Sequence, residues 1–313
     1  MPAGPPRNLD HNSIDHVDHA AIAARLYHDQ LRVEGRMPWS SNATFLVTLA
    51  ESFPAEVEAA EHSVDPTDDE HVGEYEVEEY EDDDCDGDQD DDGDDEEDED
   101  EDEDDETGGL PEVPAGAIRG IYKPGRGERP LWDFPRGLFR REIAAYELAQ
   151  FFGWEVVPPT VLRDADYGPG SLQFFIDTDF TSHYFTFLED ETYHQQLRRM
   201  AVFDVIANNT DRKGGHVLAD RNGHLWGIDN GLCFNEEPKL RTVIWDFAGQ
   251  QVPAELTADI ERFIDADADA LGPLCSLLSN DEIGAARRRA ANLLDRGELP
   301  APRSDHAYPW PLV

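Results

Sequence analysis

Between Asp65 and Glu106 the chain carries thirty carboxylates and not one lysine or arginine. Such a stretch repels itself and has too little apolar surface to bury, so it predicts a solvated, unfolded segment. Any core must then be assembled from what flanks it. Both flanks are short runs of strand character: Phe45-Leu46-Val47-Thr48-Leu49 before the block and Ala117-Ile118-Arg119-Gly120-Ile121-Tyr122-Lys123-Pro124 after it. The block therefore reads as an insertion within one domain. The expected map is a disordered tail over 1–20, a domain over 21–300 interrupted by an acidic insert at 65–109, and a C-terminal tail over 301–313. Besides acting as a linker, the insert has two functional readings: a polyanion competing for a basic nucleotide site of its own chain, or bait for a basic protein partner.

Taking those thirty carboxylates from a formal net charge of −45 leaves −15 on the rest of the chain, acidic but ordinary. An acidic surface argues against nucleic acid as the main partner, because phosphate backbones need clustered cations. It also disfavours anionic membranes. Cys85, Cys233 and Cys275 lack C-x-x-C spacing, which disfavours a disulfide framework or a thiolate zinc site and suits a reducing cytoplasm. The N-terminus lacks the pattern of a secretion signal, and no apolar window is long enough to span a membrane. The expected protein is soluble and cytoplasmic.

Along the rest of the chain, Ala21 to Leu31 has a helical pattern. A helix is expected over Leu138 to Phe152, with Phe139, Ile143, Tyr146 and Leu148 on its apolar side and Gly153 placed to stop it. Val156-Val157 and Ser171 to Ile176 look like strands. From Glu191 a longer period marks a helix running into Asn208, and Leu256 to Leu271 and Asp281 to Leu294 are helical by pattern. Strands first and helices after suggest an α+β protein of two lobes, with N-lobe 21–64 and 110–178 and C-lobe 179–300.

The most chemically suggestive region is Asn208-Asn209-Thr210-Asp211-Arg212-Lys213-Gly214-Gly215-His216 followed by Ile228-Asp229-Asn230-Gly231. Two apolar runs separated by Asp220-Arg221-Asn222-Gly223 join these segments, and Asn-Gly is a strong hairpin-turn signal. With Asn222 and Gly223 as a two-residue loop, Ala219 pairs with Trp226 and Val217 with Ile228. His216 then stands directly across from Asp229. Phosphoryl transfer needs cations on a polyphosphate, a carboxylate for the incoming hydroxyl and ligands for a divalent ion. Lys123, with Glu142 holding its ammonium, supplies a candidate for the first. Asp211 supplies the second, and Asp229 with His216 the third.

Four stretches carry a family resemblance: Tyr122-Lys123-Pro124 with Gly127-Glu128-Arg129-Pro130; Arg141 to Tyr146; Gly170 to Phe175; and Phe203-Asp204 through Arg212, then Ile228 to Leu232. Trp245 to Gln250 is a looser fifth. Through them the chain resembles the phosphatidylinositol 3-/4-kinase superfamily, nearest its type II phosphatidylinositol 4-kinase branch and bacterial relatives. The resemblance implies a two-lobed protein-kinase-like fold, ATP with Mg²⁺ (or Mn²⁺, if His216 in place of the usual asparagine changes the ion), and phosphorylation of a hydroxyl. It implies Lys123 as the phosphate lysine and Glu142 as its partner, with Gln173, Phe174 and Phe175 at an adenine hinge. Asp211 becomes the catalytic-loop aspartate, Asp229 the metal aspartate, and Ser40 to Thr44 a phosphate-covering loop.

The chain departs from the pattern at two positions. His216 stands where an asparagine metal ligand is usual, and imidazole prefers softer ions than Mg²⁺. Lys213 stands where some members carry a histidine, so it can meet a γ-phosphate but not act as a base near neutrality. With no acylation cysteines and no basic amphipathic helix, a soluble small-molecule or protein hydroxyl is the expected acceptor. Two alternatives stand beside the kinase: a nucleotide-binding pseudokinase serving as an interaction module, and an AMP transferase.

Overall fold

The computed structural model describes residues 18–37, 42–53 and 113–313, forming a mixed α+β unit. The acidic insert, most of the N-terminal tail and Ser40 lie outside the described residues. The first helix, α1 (His19–His28), is capped by the Asp18 carboxylate accepting from Ala21 N. It is followed by β1 (Gln30–Arg36), which the helical reading of Ala21 to Leu31 did not anticipate. Its alternation of Leu31, Val33 and Gly35 is short, and an edge position leaves the pattern weak. β2 (Phe45–Ala50) is buried throughout, and β3 (Ile118–Pro124) alternates buried and half-buried positions.

β2 and β3 pair directly, Phe45 with Tyr122 and Leu49 with Ile118, so the chain between them leaves and re-enters the same sheet. The helix α2 (Leu138–Phe152) has the expected bounds, and Gly153 ends it in the left-handed conformation. Val156 and Val157 form no strand. They are buried in an irregular segment before β4 (Thr160–Ala165), which pairs with β5 (Gly168–Phe174). The five-stranded antiparallel sheet has the order β1-β2-β3-β5-β4.

At Gly170 a Cβ would stand 2.4 Å from Lys123 O, so only glycine lets β5 approach the end of β3. The position of Lys123 thus depends on a residue far from it in sequence.

Helices dominate the chain beyond the sheet: α3 (Tyr184–Leu188), α4 (His194–Ala207), α5 (Ala254–Asp265), α6 (Ala268–Leu271), α7 (Leu274–Leu277) and α8 (Asn280–Arg296). α8 opens with a reciprocal Ser279–Glu282 capping box. The other carboxylate oxygen of Glu282 is tied across to Arg141 of α2 in a buried ion pair. One core lies in this region, built on Leu148, Phe152, Phe203, Ile206, Ile260 and Phe263. A second lies against the sheet, built on Phe45, Leu49, Tyr122 and Leu172. Each such side chain stabilises the fold by about 1.5–3 kcal/mol on full burial.

Between the cores runs a short hairpin, β6 (Val217–Ala219) with β7 (Leu225–Gly227). Val217 and Leu225 pack into the helical core, while Leu218 and Trp226 pack against the sheet. Period-two alternation thus makes the hairpin a seam, and its open end lies at the junction of the two cores. The C-terminal segment is also anchored. Ala307 O accepts from Thr242 N and from Trp245 Nε1, and Leu312 O accepts from Gly214 N at 2.6 Å.

Candidate active site

The hairpin register differs by one residue from the two-residue-loop expectation. Ala219 pairs with Leu225, Leu218 with Trp226 and Val217 with Gly227. The turn is longer than two residues because the Asp220 carboxylate accepts from Asn222 N and His224 N and stabilises it from its start. Gly223 closes that turn on Asp220 O with φ +78°, the left-handed residue of a three-residue hairpin loop. His216 consequently stands opposite Ile228, whose N–H donates to His216 O, not opposite Asp229.

Asp229 nevertheless reaches His216. Its backbone turns to φ +60°, and its Oδ2 comes within 3.3 Å of His216 Nε2. The other oxygen, Oδ1, is 2.5 Å from Lys123 Nζ, which is also 2.6 Å from Glu142 Oε1. Glu142 Oε2 accepts from Asn230 N at 2.8 Å. Lys123 from the sheet, Glu142 from α2, and His216 and Asp229 from the two ends of the hairpin therefore form one contiguous cluster. Asp229 keeps half of its side chain exposed, so the cluster opens to solvent on that side.

These contacts set the charges. Burial alone disfavours charge on Lys123, but Asp229 and Glu142 more than offset it and raise its pKa above the ordinary range. The Lys123 ammonium in turn holds the Asp229 carboxyl well below the usual carboxylate range. Burial lowers His216 to about 4, so the ring is neutral at pH 7. Its Nδ1 lies 2.9 Å from Asp211 O and 3.4 Å from Lys213 N; a carbonyl can only accept, so the shorter contact places the ring proton on Nδ1. Nε2 then presents a lone pair to a carboxylate oxygen. Two electron-rich atoms in contact favour a cation between them.

Asp211 lies alongside, its N–H donating to Asn209 Oδ1 and its carboxylate 3.6 Å from Lys213 Nζ. Burial raises its pKa to about 6, against the pull of Lys213. Of the expected hinge residues, Gln173 and Phe174 end β5, and all three side chains are buried. Gln173 Nε2 donates to Thr160 Oγ1, and the Phe174 and Phe175 amides donate to Pro159 O and Arg119 O. Those amides are therefore committed to the sheet and not free for a purine. The chain after them is tied to the hairpin by Thr178 Oγ1 donating to Ala219 O and by the Asp177–Arg221 ion pair.

What holds Asp211 and Asp229 in place is a network that motif reading left without a role. Arg212 is wholly buried and donates to both oxygens of Asp204, to Ile228 O and to Asn230 Oδ1. Burial opposes its charge, but Asp204 prevails and raises its pKa. The same loop is threaded between two later segments: Thr210 N donates to Leu232 O, and Arg212 N to Arg241 O. The signal for this network was present, since Asp204 is a carboxylate on the apolar side of α4, eight residues before an arginine.

The chain has relatives in sequence. Residues 162–275 match the family model described as Phosphatidylinositol 3- and 4-kinase. Protein Rv2133c of Mycobacterium tuberculosis (strain ATCC 25618 / H37Rv) is 41% identical over 230 residues, covering 61% of this chain and 81% of that protein. The chain belongs to the family of Protein Rv2133c. Its kinase-family match takes in β5, α4, the hairpin and Asp229, but begins after Lys123 and Glu142. Among solved structures, hydra Fam20 with sugar aligns at a TM-score of 0.39 and 13% identity, over 59% of this chain and 78% of that one. No helix among the described residues is long and apolar enough to cross a membrane.

The donor set can be tested for a divalent ion. Among the described residues no three His, Cys, Asp or Glu side chains gather as a complete metal cage. His216 Nε2 and Asp229 Oδ2 offer two donors, which fits an ion completed by phosphate oxygens and water. An imidazole in that pair favours Mn²⁺ over Mg²⁺.

Proposed function

We propose that this protein is an ATP-dependent phosphotransferase of protein-kinase-like fold, nearest in kind to type II phosphatidylinositol 4-kinases, acting on the hydroxyl of a soluble small-molecule or protein acceptor. The observation that carries the reading is Lys123 Nζ held between Glu142 and Asp229, with His216 on the far oxygen of Asp229. A lysine fixed by a helix carboxylate beside a metal-type aspartate suits the recognition of a nucleotide polyphosphate. The kinase-family match over 162–275 supports the same chemistry.

In this reading Lys123 turns from Asp229 to the phosphates when nucleotide enters, while Glu142 keeps the ammonium in position. Asp229 and His216 would hold the divalent ion, which when bound would neutralise charge on the phosphates. Asp211 orients the acceptor hydroxyl and takes its proton, a role that suits a carboxyl of raised pKa. Lys213, beside Asp211, meets the transferring phosphoryl group as a cation and not as a base. The purine sits against the segment from Ile176 onward, because the amides of Phe174 and Phe175 are already used.

The test is thermal unfolding with ATP and Mg²⁺ or Mn²⁺, paired with measurement of labelled-phosphate transfer. Saturation at about 100 Kd should stabilise the fold by roughly 2.7 kcal/mol. Asp229→Ala should abolish the metal-dependent part. An unchanged melting temperature of the wild-type protein with either ion and nucleotide would refute the reading.

A further inference from the structure

Between β3 and α2 lies a cavity of about 190 Å³ lined by Arg126, Arg129, Arg136, Glu128, Leu131 and Phe134 among others. The segment from Lys123 to Arg141 holds six basic and two acidic residues, in a chain where acids outnumber bases 70 to 25. Both acids are committed. Glu128 accepts from Gly137 N and Phe139 N, capping α2, and Asp133 pairs with Lys239 at 3.1 Å. Lys123 and Arg141 are paired as well. Arg126, Arg129, Arg136 and Arg140 are exposed and have no carboxylate partner among the described residues.

The loop that presents them is held in shape. Gly127 O accepts from Ala43 N, Arg129 N donates to Asn42 Oδ1, and Leu131 bridges to Phe134. Guanidinium groups gathered on a fixed loop repel one another, and a multiply charged anion relieves that repulsion. Guanidinium forks match phosphate oxygens in pairs, and three around one small concavity suit a dianion better than a single carboxylate. Trp132, 95% exposed at the adjoining turn, packs under the Lys239 ammonium at 5.3 Å.

The geometry points to a second anion site, whose lining includes none of Lys123, Glu142, His216 and Asp229, in which Arg126, Arg129 and Arg136 bind a phosphomonoester group. It does not depend on phosphotransfer. Because the same group occurs on soluble metabolites and on lipid headgroups, glycerol 3-phosphate and phosphatidate in phosphatidylcholine vesicles are the two probes. Trp132 is the reporter, read as the fluorescence change that Trp132→Phe removes.

The wild-type protein should respond to at least one probe, with Lys123→Met unaffected. The combined Arg126→Ser, Arg129→Ser, Arg136→Ser variant should lose affinity at least tenfold. Response to glycerol 3-phosphate marks a soluble ligand, and response to phosphatidate vesicles alone marks a lipid headgroup. Should the triple variant not fold, the single variants Arg129→Ser and Arg136→Ser should each weaken binding several-fold. Silence with both probes, equal affinity in the arginine variants, or loss in Lys123→Met would overturn the assignment.

Discussion

Two charged networks meet at the open end of the hairpin and could hardly be more different. Around Arg212 the guanidinium is sealed from solvent, and Asp204 and Asn230 close the shell. Around Asp229 the carboxylate is half exposed and its neighbours are a cation and a bare imidazole nitrogen. A saturated buried network can only hold structure, whereas an open one retains capacity for a ligand. The first fixes the loop from which the second projects.

The largest expected effect comes from breaking the closed network. Asp204→Ala strands the Arg212 guanidinium in the core, and removing one member of a buried pair costs about 3–5 kcal/mol. For a chain of this size that lowers the melting temperature by roughly 10 °C. Calorimetry checks this, and a shift of only a degree or two would mean that water reaches Arg212. Next is the open cluster: Asp229→Asn should reduce turnover by about 10²–10³-fold while stability changes by no more than about 1 kcal/mol. If the variant instead unfolds, the two networks are not separable.

A subtler contrast lies within the open cluster. His216→Asn replaces imidazole by an amide oxygen and should shift the preference from Mn²⁺ towards Mg²⁺ by about tenfold. Kinetics with each ion measures the ratio, and an unchanged ratio would remove His216 from the ligand set. The smallest effect concerns Glu147 on α2, where burial raises the carboxyl pKa. A carboxyl raised on folding weakens the fold once pH exceeds its unfolded value. Glu147→Gln should therefore be neutral below that value and mildly stabilising near neutrality, as unfolding measured on either side would reveal.

Much of this arrangement was legible in the residues. The bounds of α2 follow from its apolar spacing and Gly153, and with them comes the place of Glu142. The hairpin between Asp211 and Asp229 was legible from its turn residues, but its register was not. Loop length depends on whether the Asp220 side chain caps the turn, and a two-residue and a three-residue loop share the same Asn-Gly signal. That His216 meets Asp229 despite the shift rests on a left-handed aspartate, which no periodicity announces. β1 and β4 escaped notice because half-exposed strands carry a thin hydrophobic pattern. The partners of Arg212 were hidden because they come from α4, the hairpin and the turn after it.

The double embrace of Lys123 also affects its reactivity. An amine held as ammonium by two carboxylates has almost no free lone pair near neutral pH, so acylating reagents should modify it far more slowly than exposed lysines. Replacing Asp229 by a neutral residue removes one of those anions and should make the same nitrogen easier to label, so its labelling rate reports how tightly the cluster is closed.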